Sequence, residues 1–236
     1  MTNAYSVTPL SPLRKIIATR MVEASRAIPH FRVGMDVEMD ALLQLRKELR
    51  ARGPEYEVSL NDLILKACAA ALMDVPAVNI QFVNDEIHQY AAADISVVTA
   101  LADGGLATPI VRSAERKPVW EIARDVLSLA ARAARNELRM HEIAGGSFSI
   151  SNLGMYGVDE FDAIINPPQC AILAIGRAAP RALGTREGAT RVATVMRATL
   201  SVDHRALDGA IAAKFLGAFR ERVEQPACLV SASVAS

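Results

Sequence analysis

The residues best suited to chemistry lie in "TLSVDHRALDGA" (199–210), where a run of strand formers meets His204 and Asp208 follows four positions later with Gly209 behind it. A neutral imidazole at the end of a strand could act as a general base toward a thiol, hydroxyl or water. Zinc binding is the weaker chemistry, because His30, His88 and His141 lie far away in sequence with no ligand spacing to His204. The third reading is structural. A lone histidine after a strand is more often a hydrogen-bonded core residue than a catalyst, and Asp203 or Asp208 could simply cap the helix that follows. A second set of polar side chains, Ser147, Ser149 and Ser151 in "SFSISNL", reads equally well as the polar face of a strand.

These residues need elements to hold them, and the pattern supplies both kinds. Ser11 and Pro12 open a helix whose apolar face is Leu13, Ile16, Ile17 and Met21. "FRVGMDVEM" alternates as a half-buried strand, and Asp40 is placed to cap "ALLQLRKELRAR", which Gly53-Pro54 stops. Ser59 or Asn61 starts "DLILKACAAALMDV", apolar almost all round and therefore buried on more than one side. "DISVVTA" and "LATPIVR" flank a glycine turn at Gly104 and Gly105, and 118–138 reads as a long helix. "SFSISNL", "CAILAIGRA" and "RVATVMRATLSVDH" are rich in strand formers, and "DGAIAAKFLGAFRERVEQP" closes the chain as a helix. The irregular alternation predicts a mixed sheet with helices packed on it rather than a doubly wound fold. One domain is expected, at 9–230, with an extension at 1–8 and a disordered tail at 231–236.

Composition narrows the function classes. Of 236 residues, 51% are hydrophobic and 22% charged, and the formal net charge is zero, which gives no electrostatic pull toward nucleic acid or acidic membranes. The three cysteines lie outside any CxxC spacing, so a disulfide framework and a cysteine zinc site are both disfavoured. Cys68 and Cys170 sit in apolar runs and read as inert core residues. No stretch approaches the ~18 apolar residues of a membrane span, and the N-terminus lacks a secretory signal. A cytoplasmic protein is the expectation, with the mitochondrial matrix left open.

The whole string goes further than its parts. "DHRALDG" resembles the DHRxxDG signature of the dihydrolipoamide acyltransferases, the core components of 2-oxo acid dehydrogenase complexes. "LSPLRKIIATRM", "IPHF", "VSLNDLILKA", "DGGLATPIV", "GGSFSISNLGMYGV" and "FDAIINPPQCAILAIG" follow in the family's order. "SNLGMYGV" and "INPPQCAILAIG" most resemble the pyruvate-type members, which transfer acetyl groups.

The resemblance implies an α/β two-layer sandwich like that of chloramphenicol acetyltransferase, assembled as homotrimers with active sites between subunits. It implies acyl exchange between dihydrolipoamide and coenzyme A, both as substrates, with no metal. The lipoyl group would be carried on a domain absent from this chain, and the dehydrogenase-complex enzymes would be partners. A stand-alone acyltransferase with another acceptor and a purely structural trimeric scaffold are the alternatives. His204 takes the place of the general base, its tautomer held by a backbone carbonyl, and Ser151 that of the oxyanion donor from another subunit. Asp208 takes a supporting place, paired with Arg46, and Asn79 falls at a substrate-channel position. The C-terminal "VEQPACLVSASVAS" has only a short apolar part, which puts large cubic or dodecahedral assembly in question.

Overall fold

The computed structural model describes residues 5–100, 105–185 and 188–231. Residues 1–4 of the expected extension, 232–236 of the expected tail, and Gly104 of the expected turn lie outside them. Helix α1 (Pro12–Ala27) opens as its sequence predicts, with Ser11 accepting from the Arg14 N–H. Its apolar face stays largely open: Ile16 is exposed and Ile17 and Met21 are half-buried, while the Leu13 side chain lies outside the described ones.

Strand β1 (His30–Glu38) leads into α2 (Asp40–Arg50). The expected cap is displaced by one residue. Met39 holds the cap position, and Asp40, already helical, accepts instead from the backbone N–H of Thr194. Helix α3 (Leu60–Asp74) begins with a reciprocal capping box between Ser59 and Asp62 and is buried along most of its length.

A hairpin follows, β2 (Ile80–Val83) on β3 (Glu86–Gln89), turned by Asn84 and Asp85 at φ 51° and 63°. The two strand-like runs then fold back, β4 (Ile95–Val97) and β5 (Thr99–Ala100) pairing with β7 (Ile110–Val111) and β6 (Leu106–Ala107) respectively. Helix α4 (Val119–Ala134) ends sooner than the pattern over 118–138 predicts, because Asn136 takes the left-handed conformation at φ 56°. The chain continues through α5 (Met140–Ile143), β8 (Phe148–Asn152), β9 (Ala171–Gly184), β10 (Thr190–Asp203), α6 (Gly209–Glu224) and α7 (Cys228–Ser231).

Six strands form one mixed sheet in the order β1-β10-β9-β8-β4-β7, with β8 parallel to both β4 and β9. Alternation splits its side chains cleanly. Leu173, Ile175, Phe148, Ile150, Leu200 and Val202 join the main core together with α2, α3, α4 and α6. Ile172 and Ala174 point the other way, into a smaller cluster with Ala24, Ile28, Ala163 and Ile165. That second face is covered by the end of α1 and by the crossover 153–170 between β8 and β9. The crossover lies so close to the sheet that a Cβ added at Gly176 would stand 1.9 Å from the Asp159 carbonyl oxygen. Ion pairs of Asp159 with Arg177, Glu160 with Arg197 and Asp162 with Arg32 fasten it to three adjacent strands. No helix among the described residues is long and apolar enough to cross a membrane.

Candidate active site

Strand β10 ends at Asp203, and the turn beyond it is built by the two neighbours of His204 gripping each other. Asp203 is 1% exposed. Its carboxylate accepts the Arg205 backbone N–H at 3.0 Å and two guanidinium bonds, from Nε at 3.0 Å and Nη2 at 2.7 Å. Such a forked, charge-assisted contact is among the strongest a side-chain pair can make. The guanidinium lies 4.5 Å over the Phe82 ring, which adds a cation–π contact on its other face. The Asp203 carbonyl accepts from Ala206 and Leu207, closing the turn.

Between these two residues His204 faces out. Its backbone N–H donates to the Pro29 carbonyl at 3.1 Å. Its ring meets Phe31 edge-on, 4.9 Å between centroids at 75°. The imidazole is exposed, and neither ring nitrogen has a hydrogen-bond partner among the described residues. No carbonyl of another described residue reaches the ring, and the Phe31 edge packs against it. Gly209 leaves room for that arrangement, since a Cβ there would come within 3.0 Å of Phe31. His30 makes the contrast: its Nδ1–H donates to the Ile28 carbonyl at 2.8 Å and its Nε2 accepts from the Ile165 N–H at 3.1 Å. Both nitrogens of His30 serve the fold, and both nitrogens of His204 are left for something else.

The three serines at and before β8 separate in the same way. Ser147 is fully buried and its Oγ exchanges hydrogen bonds with the Asp94 backbone. Ser149 is equally buried and donates to the Gln169 side chain, whose amide nitrogen reaches Ser96 and the Gly146 carbonyl. Ser151 is half-buried, and its hydroxyl has no partner among the described residues. The register sets its place: Ser151 stands opposite Ala174, and Ala174 opposite Thr199, five residues before His204. At a rise of ~3.3 Å per residue and ~4.8 Å between strands, Ser151 and His204 of one chain are roughly 19 Å apart. No single substrate carbonyl can touch both.

Other expected placements are corrected. Asp208 forms no ion pair with Arg46 among the described residues; it is the N-cap of α6, accepting from the Ile211 N–H at 2.8 Å. The reason is packing: Leu42, Leu45 and Leu49 turn α2 onto the core, which sets Arg46 beside the start of α3. There its Nε donates to the Val58 carbonyl at 3.2 Å, and its charge eases the ionisation of Asp62, whose carboxyl burial pushes up. Asn79, expected at a channel position, is 0% exposed in this chain; its amide donates to the carbonyls of Tyr90 and Ala92, tying β2 to the segment after β3. Cys170 is an inert core residue as expected, its thiol pushed up to about 12 by burial and by the nearby Asp203 charge. Asp203 and Arg205 are the supporting residues that sequence reasoning missed. Opposite charges immediately flanking a histidine were the available signal.

A pocket of about 330 Å³ opens beside this turn, between α1 and Pro167–Gln169, with Arg20, Phe82, Asp203 and Arg205 in its wall. His204 does not line it. Among the described residues no group of three or more His, Cys, Asp or Glu converges to hold a metal.

Sheet order, helix placement and the exposed histidine after the last strand define an α/β two-layer sandwich of the chloramphenicol acetyltransferase type. A solved chloramphenicol acetyltransferase matches with a TM-score of 0.54 over 90% of this chain and 94% of that one, at 17% identity, which speaks to fold alone. The chain belongs to the 2-oxoacid dehydrogenases acyltransferase (catalytic domain) family, whose model matches residues 2–231. It is 41% identical over 229 residues to the dihydrolipoyllysine-residue acetyltransferase component of the pyruvate dehydrogenase complex of Rickettsia conorii, covering 96% of this chain but 55% of that protein. The chain thus spans about half the length of the curated relatives it matches.

Among solved structures, a probable dihydrolipoamide acetyltransferase from Listeria monocytogenes superposes with a TM-score of 0.89 at 30% identity, covering 95% of this chain and 96% of that one. The dihydrolipoamide acetyltransferase of Azotobacter vinelandii, studied for a serine, a histidine and an asparagine in its catalytic mechanism, gives 0.90 at 26%, covering 96% and 94%. The cubic core of a pyruvate dehydrogenase multienzyme complex gives 0.90 at 25%, with the same coverage.

Proposed function

We propose that this chain transfers an acetyl or similar acyl group between dihydrolipoamide and coenzyme A by direct thioester exchange. The observation that carries the reading is His204: an exposed imidazole with both nitrogens unpartnered, on a turn locked by a buried carboxylate–guanidinium clamp. A histidine kept for structure has its nitrogens satisfied, as His30 does.

In the proposed step the neutral His204 imidazole takes the proton of the acceptor thiol as its sulfur attacks the acyl carbonyl. A free thiol is only a few per cent ionised at neutral pH, so this proton transfer supplies the nucleophile. The new carbon–sulfur bond forms a tetrahedral oxyanion, which the Ser151 hydroxyl stabilises by donating a hydrogen bond. Collapse breaks the bond to the departing sulfur, which takes the proton back from the imidazolium. Because Ser151 and His204 of one chain stand roughly 19 Å apart, the donor comes from a neighbouring copy. A homotrimer with three interfacial sites is the arrangement that supplies it.

The catalytic domain in this reading is 9–230. Asp208 supports the site by capping α6, and Arg46 by bracing the start of α3. The lipoyl group would arrive on a separate domain, from dehydrogenase-complex partner enzymes in the cytoplasm, and the likeness to a cubic core favours trimers that assemble further.

The test is acetyl transfer from acetyl-CoA to free dihydrolipoamide by the native chain and by His204→Ala. Robust native turnover, lost in a folded and assembled His204→Ala protein, is expected. Turnover unaffected by the substitution, or absent from the native protein, overturns the proposal.

A further inference from the structure

The segment that runs into β1, "IPHF", sets two residues, Pro29 and Phe31, against the active turn. The Pro29 carbonyl holds the His204 backbone N–H, and the Phe31 ring packs edge-on against the imidazole. His30, between them, touches neither. It reaches back to the Ile28 carbonyl with Nδ1 and across to the Ile165 N–H of the crossover with Nε2. A carbonyl on one side demands an N–H, and an N–H on the other demands a lone pair, so a single neutral tautomer, Nδ1–H, satisfies both.

We infer that His30 is a positioning residue for His204: by bridging Ile28 to Ile165 it locks the head of β1, and through Pro29 and Phe31 it sets where the reactive imidazole stands. The inference rests on the reading of His204 as the base. Its strength is that no hydrogen bond ties the His204 ring to another described residue. The backbone bond and the Phe31 edge are what orient it, and both belong to the strand head that His30 fastens. Ile28 and Ile165, the two ends of the bridge, are buried together in the smaller core cluster, so the bridge is anchored at both ends. The charged neighbours are already committed elsewhere: Asp203, opposite His30 in the ladder, to Arg205, and Arg32 to Asp162.

The experiment compares His30→Ala and His30→Gln in the assembled protein. The glutamine oxygen can accept from the Ile165 N–H where Nε2 did. His30→Ala is expected to lower kcat for acetyl transfer by about tenfold or more with KM for acetyl-CoA within about threefold, and His30→Gln to recover most of the loss. In the crystal structure of His30→Ala, the His204 ring is expected to leave its contact with Phe31. Unchanged kcat in a folded His30→Ala protein, or equal losses in the two variants, overturns the inference. Magic-angle-spinning ¹⁵N spectra of the native assembly decide it even if His30→Ala does not fold: the Nδ1–H form is expected at His30, and the Nε2–H form refutes it. Should native acetyl transfer be absent, the acyl-transfer reading falls by itself, while the tautomer and the displaced His204 ring still test the positioning role.

Discussion

Side by side at the end of the β1–β10 ladder stand two histidines whose ring nitrogens do opposite things, and that difference sets His204 apart at the scale of single residues. His204→Ala is expected to reduce kcat by ~10²–10⁴-fold, the usual worth of a positioned general base, in a protein that still assembles. Steady-state acetyl transfer, with the oligomer measured alongside, checks it. Ser151→Ala is expected to cost ~10²–10³-fold in kcat with little change in KM, whereas Ser147→Ala should act mainly on stability. Sequence could rank neither distinction. A histidine's neighbours come from Pro29, Phe31 and Ile165, far away in the chain, and alternation treats Ser147, Ser149 and Ser151 alike. Only burial against Gln169 and the Asp94 backbone tells them apart. The expected Asp208–Arg46 pair does not form among the described residues for the converse reason: a local role, capping α6, occupies the aspartate.

Elements were more legible than contacts, because caps and periodicity act over a few residues. The Ser59–Asp62 box, the Ser11 cap and the strands around His204 stand where their signals put them. The β2–β3 hairpin went unread although Asn84-Asp85 is a turn signal, since its strands are short and β3 is wholly exposed. Capping carries a prediction here. Asp208→Ala should lower stability by about 1 kcal/mol, and Asp208→Asn, an equally good cap, should restore it; thermal melting of the two variants decides. A second concerns α5, which is held to α4 by Arg132. That ion pair, helped by the Arg139 backbone N–H, holds the Glu142 carboxyl at about 2, below its ordinary 4.5. A carboxylate with a lower value in the folded state contributes its stabilisation fully above pH 4.5 and loses it as pH falls toward 2. Amide exchange at 140–143 should therefore speed up across that window in the native protein and lose this dependence in Glu142→Gln.

At the scale of the whole molecule, one sheet face is sealed by helices and the other, among the described residues, is covered by the crossover and the end of α1. Ser151 lies on that second face, His204 beyond the end of the same sheet, and the large apolar residues Ile16, Phe31, Met155 and Tyr156 remain exposed. In the proposed function a neighbouring copy would both complete the site and cover these apolar side chains. No periodicity in the sequence encodes a partner subunit, so at this level the sequence offers only the family's motifs, and the structure only the strand register that separates Ser151 from His204. The most direct measurement is complementation. His204→Ala and Ser151→Ala chains, each inactive alone, are co-expressed and the mixed oligomer is assayed for acetyl transfer. If the base and the oxyanion donor come from different copies, random mixing rebuilds about a quarter of the sites and a comparable share of native activity returns. A mixed oligomer as inactive as its two parents would contradict a site shared between copies.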